Sequence, residues 1–299
     1  MLPILDSVRP LVEGSEDVSI DRPRLADVAS WLAYEELPVP PAFLPFRVPA
    51  ENLVDFVLVA SCLNFAFTDF STRRRWDLVL DGRVYADADG LHAALRQAGP
   101  EILRGEWLAA ATAERLGEIL PGLQLLEERA AILRDVGGVL VDRWDGRFAN
   151  AVAGIGDVGT YLATLTREFP RFDDEPFYKL AQLSAWILHI EGVVRWPDLG
   201  RLTAFADYIV PAALRALGIL RYSDELAHAV DTWTPIDAGS SWEIEMRAAT
   251  VWACHELALA VNRLRPPELA VVDAQIDARL WLPFHKSHLP HHLTRTIYY

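Results

Sequence analysis

Cysteine is nearly absent: the 299-residue chain has two, Cys62 and Cys254, each inside an apolar helical pattern. That excludes a disulfide framework and a cysteine metal knuckle, and it fits a reducing compartment, so a cytoplasmic location is expected. There is no glycine-rich phosphate loop, dinucleotide fingerprint or serine-nucleophile elbow. A bound nucleotide would therefore be held by side chains and helix ends, and no cofactor is implied. Positive charge is scarce as well, because 28 Lys and Arg stand against 42 Asp and Glu, a net charge of −14. Phosphate neutralisation supplies most of the affinity of a nucleic-acid binder, so an extended nucleic-acid partner is disfavoured, as is an anionic membrane surface. The longest apolar stretch, Leu53 to Phe67, is interrupted by Asp55 and Asn64 and is too short to cross a bilayer. The start, MLPILDSVRP, has neither the charged nor the apolar region of a signal peptide.

What is present is helical periodicity. Leu25, Val28, Trp31 and Leu32 step by threes and fours through Arg24–Glu36, and Glu51–Leu63 is a strongly apolar helix. Between them Pro38 to Pro49 is too rich in proline for a helix and is expected as an extended connector. Further helices are predicted over Leu91–Ala98, Gly105–Leu120, Gln124–Val136, Val158–Phe169, Pro176–Ile190, Leu202–Leu217, Ser223–Val230, Ser240–Leu264 and Glu268–Trp281. One β-hairpin is predicted near 76–86, where Trp76, Leu78 and Leu80 alternate ahead of the turn dipeptide Asp81-Gly82. No repeat and no Gly/Ser linker interrupts the chain. The expected fold is mainly α, one helical domain over 1–299, with two lobes around a central cleft as the variant.

Six stretches have the residue types that chemistry needs. Asp207 sits in LTAFADYIVPAALRALGIL among Phe205, Ala206, Tyr208 and Ile209, where an uncompensated carboxylate costs several kcal/mol, of order 2–7 for an unpaired polar group. It reads as a cap of the helix carrying Pro211, a working acid, or both, since a capped carboxylate is held ionised and fixed. In HKSHLPHHLTRTIYY four of the eight histidines gather with Lys286 and Arg295. An anion site wants such donors, with Arg295 gripping a phosphate and His291, His292 and Thr294 adding single bonds. The rivals are a solvated tail and a metal site on His285, His288 and His291, which Pro290 and the want of a carboxylate disfavour. Glu243 and Arg247 are four apart in GSSWEIEMRA, where Ser240 has capping-box spacing to Glu243, and a structural pair is the default. Lys179 and Gln182 interrupt an apolar helix. Asn64, Phe65 and Asp69 in CLNFAFTDF put rings beside hydrogen-bonding groups, as a purine-like base requires, and Asp277 is a lone acid near Trp281.

Together SVRPLVEGSEDVSID, LNFAFTDF, FYKLAQLSAWIL, LTAFADYIVPAALRALGILRYSDEL, GSSWEIEMRA and PHHLTRTIYY resemble, in order, the queuosine salvage protein family. The chain departs from that pattern at Ala66-Phe67-Thr68, where a further aromatic is expected, and at Met246. The resemblance implies an N-glycosylase that hydrolyses queuosine 5′-monophosphate and releases queuine, a small nucleotide being the only partner. It also implies Asp207 at the anomeric carbon, rings of Phe65, Phe205 and Tyr208 around the base, and Asp277 or Asp69 beside the cationic amine of queuine. The tail, helped by Lys179, would take the phosphate. A fainter similarity lies in Asp207, Val210, Leu214, Leu217 and Gly218, which share the spacing that follows the catalytic aspartate of helix-hairpin-helix DNA glycosylases. The other class of function is a helical protein that binds tRNA or a modified nucleotide without chemistry.

Overall fold

The computed structural model describes residues 4–35, 43–287 and 289–299. Among them are fourteen α-helices and two small antiparallel strand pairs, as the periodicity predicts for a mainly helical chain. Helices α1 (Ile4–Glu13), α2 (Arg22–Leu32) and α3 (Ala50–Leu63) come first, then α4 (Asp87–Ala98), α5 (Gly105–Ala109), α6 (Ala113–Ile119) and α7 (Leu126–Arg143). The middle holds α8 (Phe148–Ala151), α9 (Val158–Glu168) and α10 (Lys179–Ile190). Last come α11 (Ile209–Ala216), α12 (Asp224–Asp231), α13 (Ser241–Leu264) and α14 (Asp273–Phe284). No helix of the described residues is long and apolar enough to cross a membrane.

Several boundaries differ from the sequence reading, each for a local reason. The expected helix Gly105–Leu120 is two, because the Thr112 side chain caps α6 through the Arg115 amide and ends the continuity. Helix α7 runs on to Arg143, past the expected end at Val136. The last helix starts at Asp273, preceded by a single turn at Pro267–Leu269. The predicted hairpin is present as β2 (Asp77–Leu80) and β3 (Arg83–Ala86), with Asp81 and Gly82 both at positive φ in the turn. A second pair went unforeseen: β1 (Val18–Ile20) lies against β4 (Leu220–Tyr222), three residues pairing across two hundred, and three residues are too few for an alternating pattern. Residues 43–49 of the proline-rich connector are non-helical; Glu36 and the rest of the connector as far as Ala42 lie outside the described residues.

Two apolar cores fill the molecule. The first gathers α3 with α4, α7, α9 and α10 around residues such as Leu58, Leu63, Leu91 and Trp186. The second packs α2, α11, α12 and α14 around Leu32, Leu214, Leu257 and Ile276. Each fully buried aliphatic of this kind contributes roughly 1.5–3 kcal/mol. The long helix α13 borders both, with Ala248 and Val251 in the first and Met246, Ala249 and Ala253 in the second.

The departure that matters most lies between α10 and α11. Leu202–Leu217 was expected to be one helix, yet only Ile209–Ala216 is helical and Leu202 to Asp207 is not. Side chains of three other helices supply the backbone partners that a helix would have supplied. Gln182 of α10 accepts the Thr203 amide (2.8 Å), Asp277 of α14 accepts the Phe205 amide (2.9 Å), and Arg247 of α13 donates to the Ala206 carbonyl (3.1 Å). Pro211 is the third residue of α11, where a missing N–H leaves no intrahelical bond unmade.

Candidate functional site

A pocket opens where the two cores meet. It encloses about 790 Å³ of empty space, part of it open to solvent. Asn64, Phe67, Arg75, Asp87 and Lys179 line it from one side, and Asp207, Tyr208, Asp277 and Trp281 from the other.

Asp207 takes its place by capping. Its Oδ1 accepts the amides of Ile209 and Val210, both at 2.9 Å, so the carboxylate is fixed at the start of α11, as the sequence predicted. No hydrogen bond holds Oδ2 among the described residues. Asp277 reaches the same pocket from α14, its Oδ2 engaged by the Phe205 amide. Burial raises the pKa of both carboxyls. Asp207 is drawn back down by Lys179, the two amides and Arg247. Asp277 has one amide and a weaker pull from Lys179, and the charge of Asp207 pushes it further, well above the usual range. Both carboxyls are thus raised, and Asp277 has fewer groups opposing the rise than Asp207. Lys179 itself is lowered to about 8, by burial first and with Arg171 and Arg247 adding to it, against the pull of Asp207 and Asp277.

The other predicted residues divide clearly. Asn64, Lys179, Phe205, Tyr208 and Asp277 all line the pocket with Asp207. Phe65 does not. Ala66 has a positive φ of 48°, and this turn sends Phe65 away from the pocket while Phe67 lines it. The Phe65 ring is fully buried between two guanidinium groups, Arg129 at 3.9 Å and Arg171 at 5.0 Å, and cannot stack on a base. Asp69 is spent on its own loop, accepting the amides and hydroxyls of Ser71 and Thr72, which together hold it down at about 2. It borders a neighbouring surface hollow, apart from Asp207.

Glu243 and Arg247 pair with each other at 3.4 Å, as their spacing suggested, and neither lines the pocket. Arg247 makes a buried two-pronged pair with Asp174, lies 4.0 Å over the Phe177 ring and holds the Ala206 carbonyl next to Asp207. Glu243 accepts the Tyr299 hydroxyl at 2.8 Å. Gln182 likewise serves the backbone, bonding Thr203 and the Phe177 carbonyl.

The histidine-rich segment is not a solvated tail, one of the alternatives the sequence left open, since His291, His292 and Thr294 are buried. It threads inward, with Leu293 bridged to Pro235 and the Tyr299 carbonyl accepting the Ala66 amide at 3.0 Å. Arg295 points outward to Glu128 on the surface, so it does not grip a ligand in the pocket. His291 and His292 are buried and held neutral, lowered by burial to about 4 and about 3. Of the three histidines weighed as metal ligands, His288 lies outside the described residues, His285 stacks on Trp281 at 4.1 Å, and His291 stacks on Tyr208 at 4.4 Å. No group of three or more His, Cys, Asp or Glu side chains fit to hold a metal occurs among the described residues.

Sequence reasoning missed Arg75, Asp87, Phe67 and Trp186. Arg75 is paired with Asp87 and with the His285 carbonyl inside the pocket wall. In the sequence it is the third of three arginines, and nothing marks which of them turns inward. Asp87, at the start of α4, looks like an ordinary helix-start acid. Leu183 and Trp186 were legible: they follow Lys179 by four and seven residues and so share its face.

The family profile described as queuosine salvage protein matches residues 45–299. A queuosine 5′-phosphate N-glycosylase/hydrolase of Sphaerobacter thermophilus is 36% identical, the match covering all of this chain and 98% of that protein. The protein of the same name from Mus musculus is 29% identical over 98% of both chains, and that of Schizosaccharomyces pombe 26% identical over 84% of this chain and 83% of its own.

Proposed function

The chain belongs to the queuosine salvage protein family, and on that premise we propose how its pocket hydrolyses the N-glycosidic bond of queuosine 5′-monophosphate and frees the base for salvage. The observation that carries the reading is a pair of buried carboxyls with unlike partners in one pocket, Asp207 facing Lys179, two amides and Arg247, and Asp277 raised further by the charge of Asp207.

Breaking the bond between C1′ of the ribose and the base nitrogen leaves positive charge on the sugar and sends the bonding electrons to the base. Asp207, anchored by Oδ1, presents Oδ2 to the developing cation and either screens it or traps it covalently. A 7-deazaguanine has no N7 to protonate, so its departure needs a proton elsewhere on the ring. Asp277 is the neutral acid of this pocket and supplies that proton. This replaces the amine-binding role first suggested for it, since a cationic amine calls for an ionised partner. Water then adds to C1′, its proton returning to the carboxyl pair. Phe205, Tyr208 and Phe67 provide the flat walls for the base.

Lys179 sets the working pH. Its ammonium is the strongest opposing influence on Asp207, so Lys179→Met moves the acid limb of the kcat/KM profile to higher pH, while the wild-type rate declines as pH rises through about 8 and the ammonium is lost. Profiles of base release for the two proteins that superimpose at both limbs would refute this coupling. The effect on stability has the opposite sense. A lysine depressed below its unfolded value costs stability while charged, so that cost fades between about 8 and the ordinary 10.5 as activity falls.

A further inference from the structure

The chain from Cys62 to Thr68 leaves the end of α3 and carries Asn64 and Phe67 into the pocket. Its course is not one its own residues would choose. Ala66 is left-handed, with a φ of 48°, a conformation that an alanine does not hold unaided. The last carbonyls of α3 also lack donors within the helix.

Side chains from outside the turn supply what is missing. Arg129 of α7 commits all three guanidinium nitrogens to carbonyls, one to Leu63, one to Phe65 at 2.6 Å and one to Gln124 at 3.1 Å. Arg171 donates to the Cys62 carbonyl at 2.8 Å. The Gln124 side chain donates to the carbonyls of Ala66 at 2.9 Å and Thr68 at 2.6 Å, and its oxygen accepts the Phe70 amide at 3.3 Å. Because Arg129 also holds the Gln124 carbonyl, the two residues form one brace.

Arg129 is fully buried, and a buried cation needs a negative partner. The end of α3 provides one, since the carbonyls of a helix C-terminus carry partial negative charge. The Phe65 ring adds its face, 3.9 Å from the guanidinium. Phe65, which has no place at the base, is the platform that orients Arg129.

We infer that Arg129 and Gln124 are positioning residues for the proposed reaction, acting through the carbonyls of Leu63 to Thr68 to hold the turn that presents Asn64 and Phe67 to the substrate base. Neither lines the pocket, so each acts through the turn alone. The inference rests on the proposed reaction for the identity of the base, while the bracing is independent of it.

The test compares Arg129→Lys, which keeps the charge but reaches fewer carbonyls at once, with Gln124→Leu, at a half-buried loop position. Base release from queuosine 5′-phosphate and calorimetric binding of free queuine are measured on both. Arg129→Lys raises KM and weakens queuine binding by about tenfold to a hundredfold, with a smaller change in kcat. Gln124→Leu, which loses only neutral hydrogen bonds, weakens both by about twofold to tenfold. The limbs of the pH profile stay in place, because the arginines acting on Asp207 and Lys179 are Arg247 and Arg171. Ala66→Gly adopts the left-handed turn without strain and recovers part of the loss in either variant, which a general loss of stability would not allow. Wild-type KM and queuine binding in both variants, a displaced pH limb, or a loss that Ala66→Gly leaves untouched would overturn the brace. A wild type that binds queuine yet frees none from the nucleotide would instead overturn the reaction and leave the brace standing.

Discussion

Asp207→Asn abolishes base release from queuosine 5′-phosphate, with kcat reduced by roughly 10³-fold, about 4 kcal/mol, while the protein still unfolds in one cooperative transition. The substitution isolates charge from structure. An asparagine oxygen can still accept the Ile209 and Val210 amides, so the start of α11 keeps its cap. What disappears is the anion proposed to face C1′, and with it the like charge that, after burial, raises the pKa of Asp277. Both halves of the proposed chemistry weaken together. The melting temperature is not lowered, because a carboxylate whose pKa is raised by burial costs stability at neutral pH, and removing it relieves that cost. Base release by the variant within tenfold of wild type would dispose of Asp207 as the central carboxylate. A variant that is inactive and also molten would point to a structural role alone.

The largest loss of stability is expected one layer back, at Arg247. Arg247→Met strands Asp174, a carboxylate 5% exposed, without its partner. Breaking a buried pair from one side costs about 3–5 kcal/mol, which for a chain of this size lowers the melting temperature by roughly 10 °C. The double variant Asp174→Asn, Arg247→Met recovers much of that loss, since no uncompensated charge remains. Activity does not recover in step, because the Ala206 carbonyl still lacks the donor that holds it beside Asp207. Thermal melts of the single and double variants check the first statement, and base release at a temperature where both are folded checks the second. A single variant that melts with the wild type would show that the pair carries no net burden.

The contrast between these two residues explains what could be read in the sequence. Asp207 was conspicuous because a short acid in an apolar run has few alternatives, and Pro211 marked the helix start that caps it. The mainly helical class was equally legible, since apolar periodicity is local. Arg247 offered only an i, i+4 acid, and its real partner, Asp174, is 73 positions away. The non-helical course of 202–207 was hidden for the same reason, its hydrogen-bond partners being Gln182, Arg247 and Asp277. Phe65 failed through backbone geometry, because a left-handed residue at Ala66 decides which ring of LNFAFTDF meets the pocket. The tail was recognised as special, but composition does not reveal that its histidines are buried, which lowers their pKa.

The bond between the Ala66 amide and the Tyr299 carbonyl has a consequence in time. A chain emerging from the ribosome delivers Asn64, Lys179 and Asp207 long before it delivers Tyr299, which lines the pocket beside them. The first core can condense early, yet the pocket wall closes only after the inward-threading segment around His291 and Thr294 has been made. Until then the chain holds an ionisable pair without its enclosure, and nascent protein has no working site. Assembly of the pocket wall is thus coupled to synthesis of the segment around His291 to Tyr299.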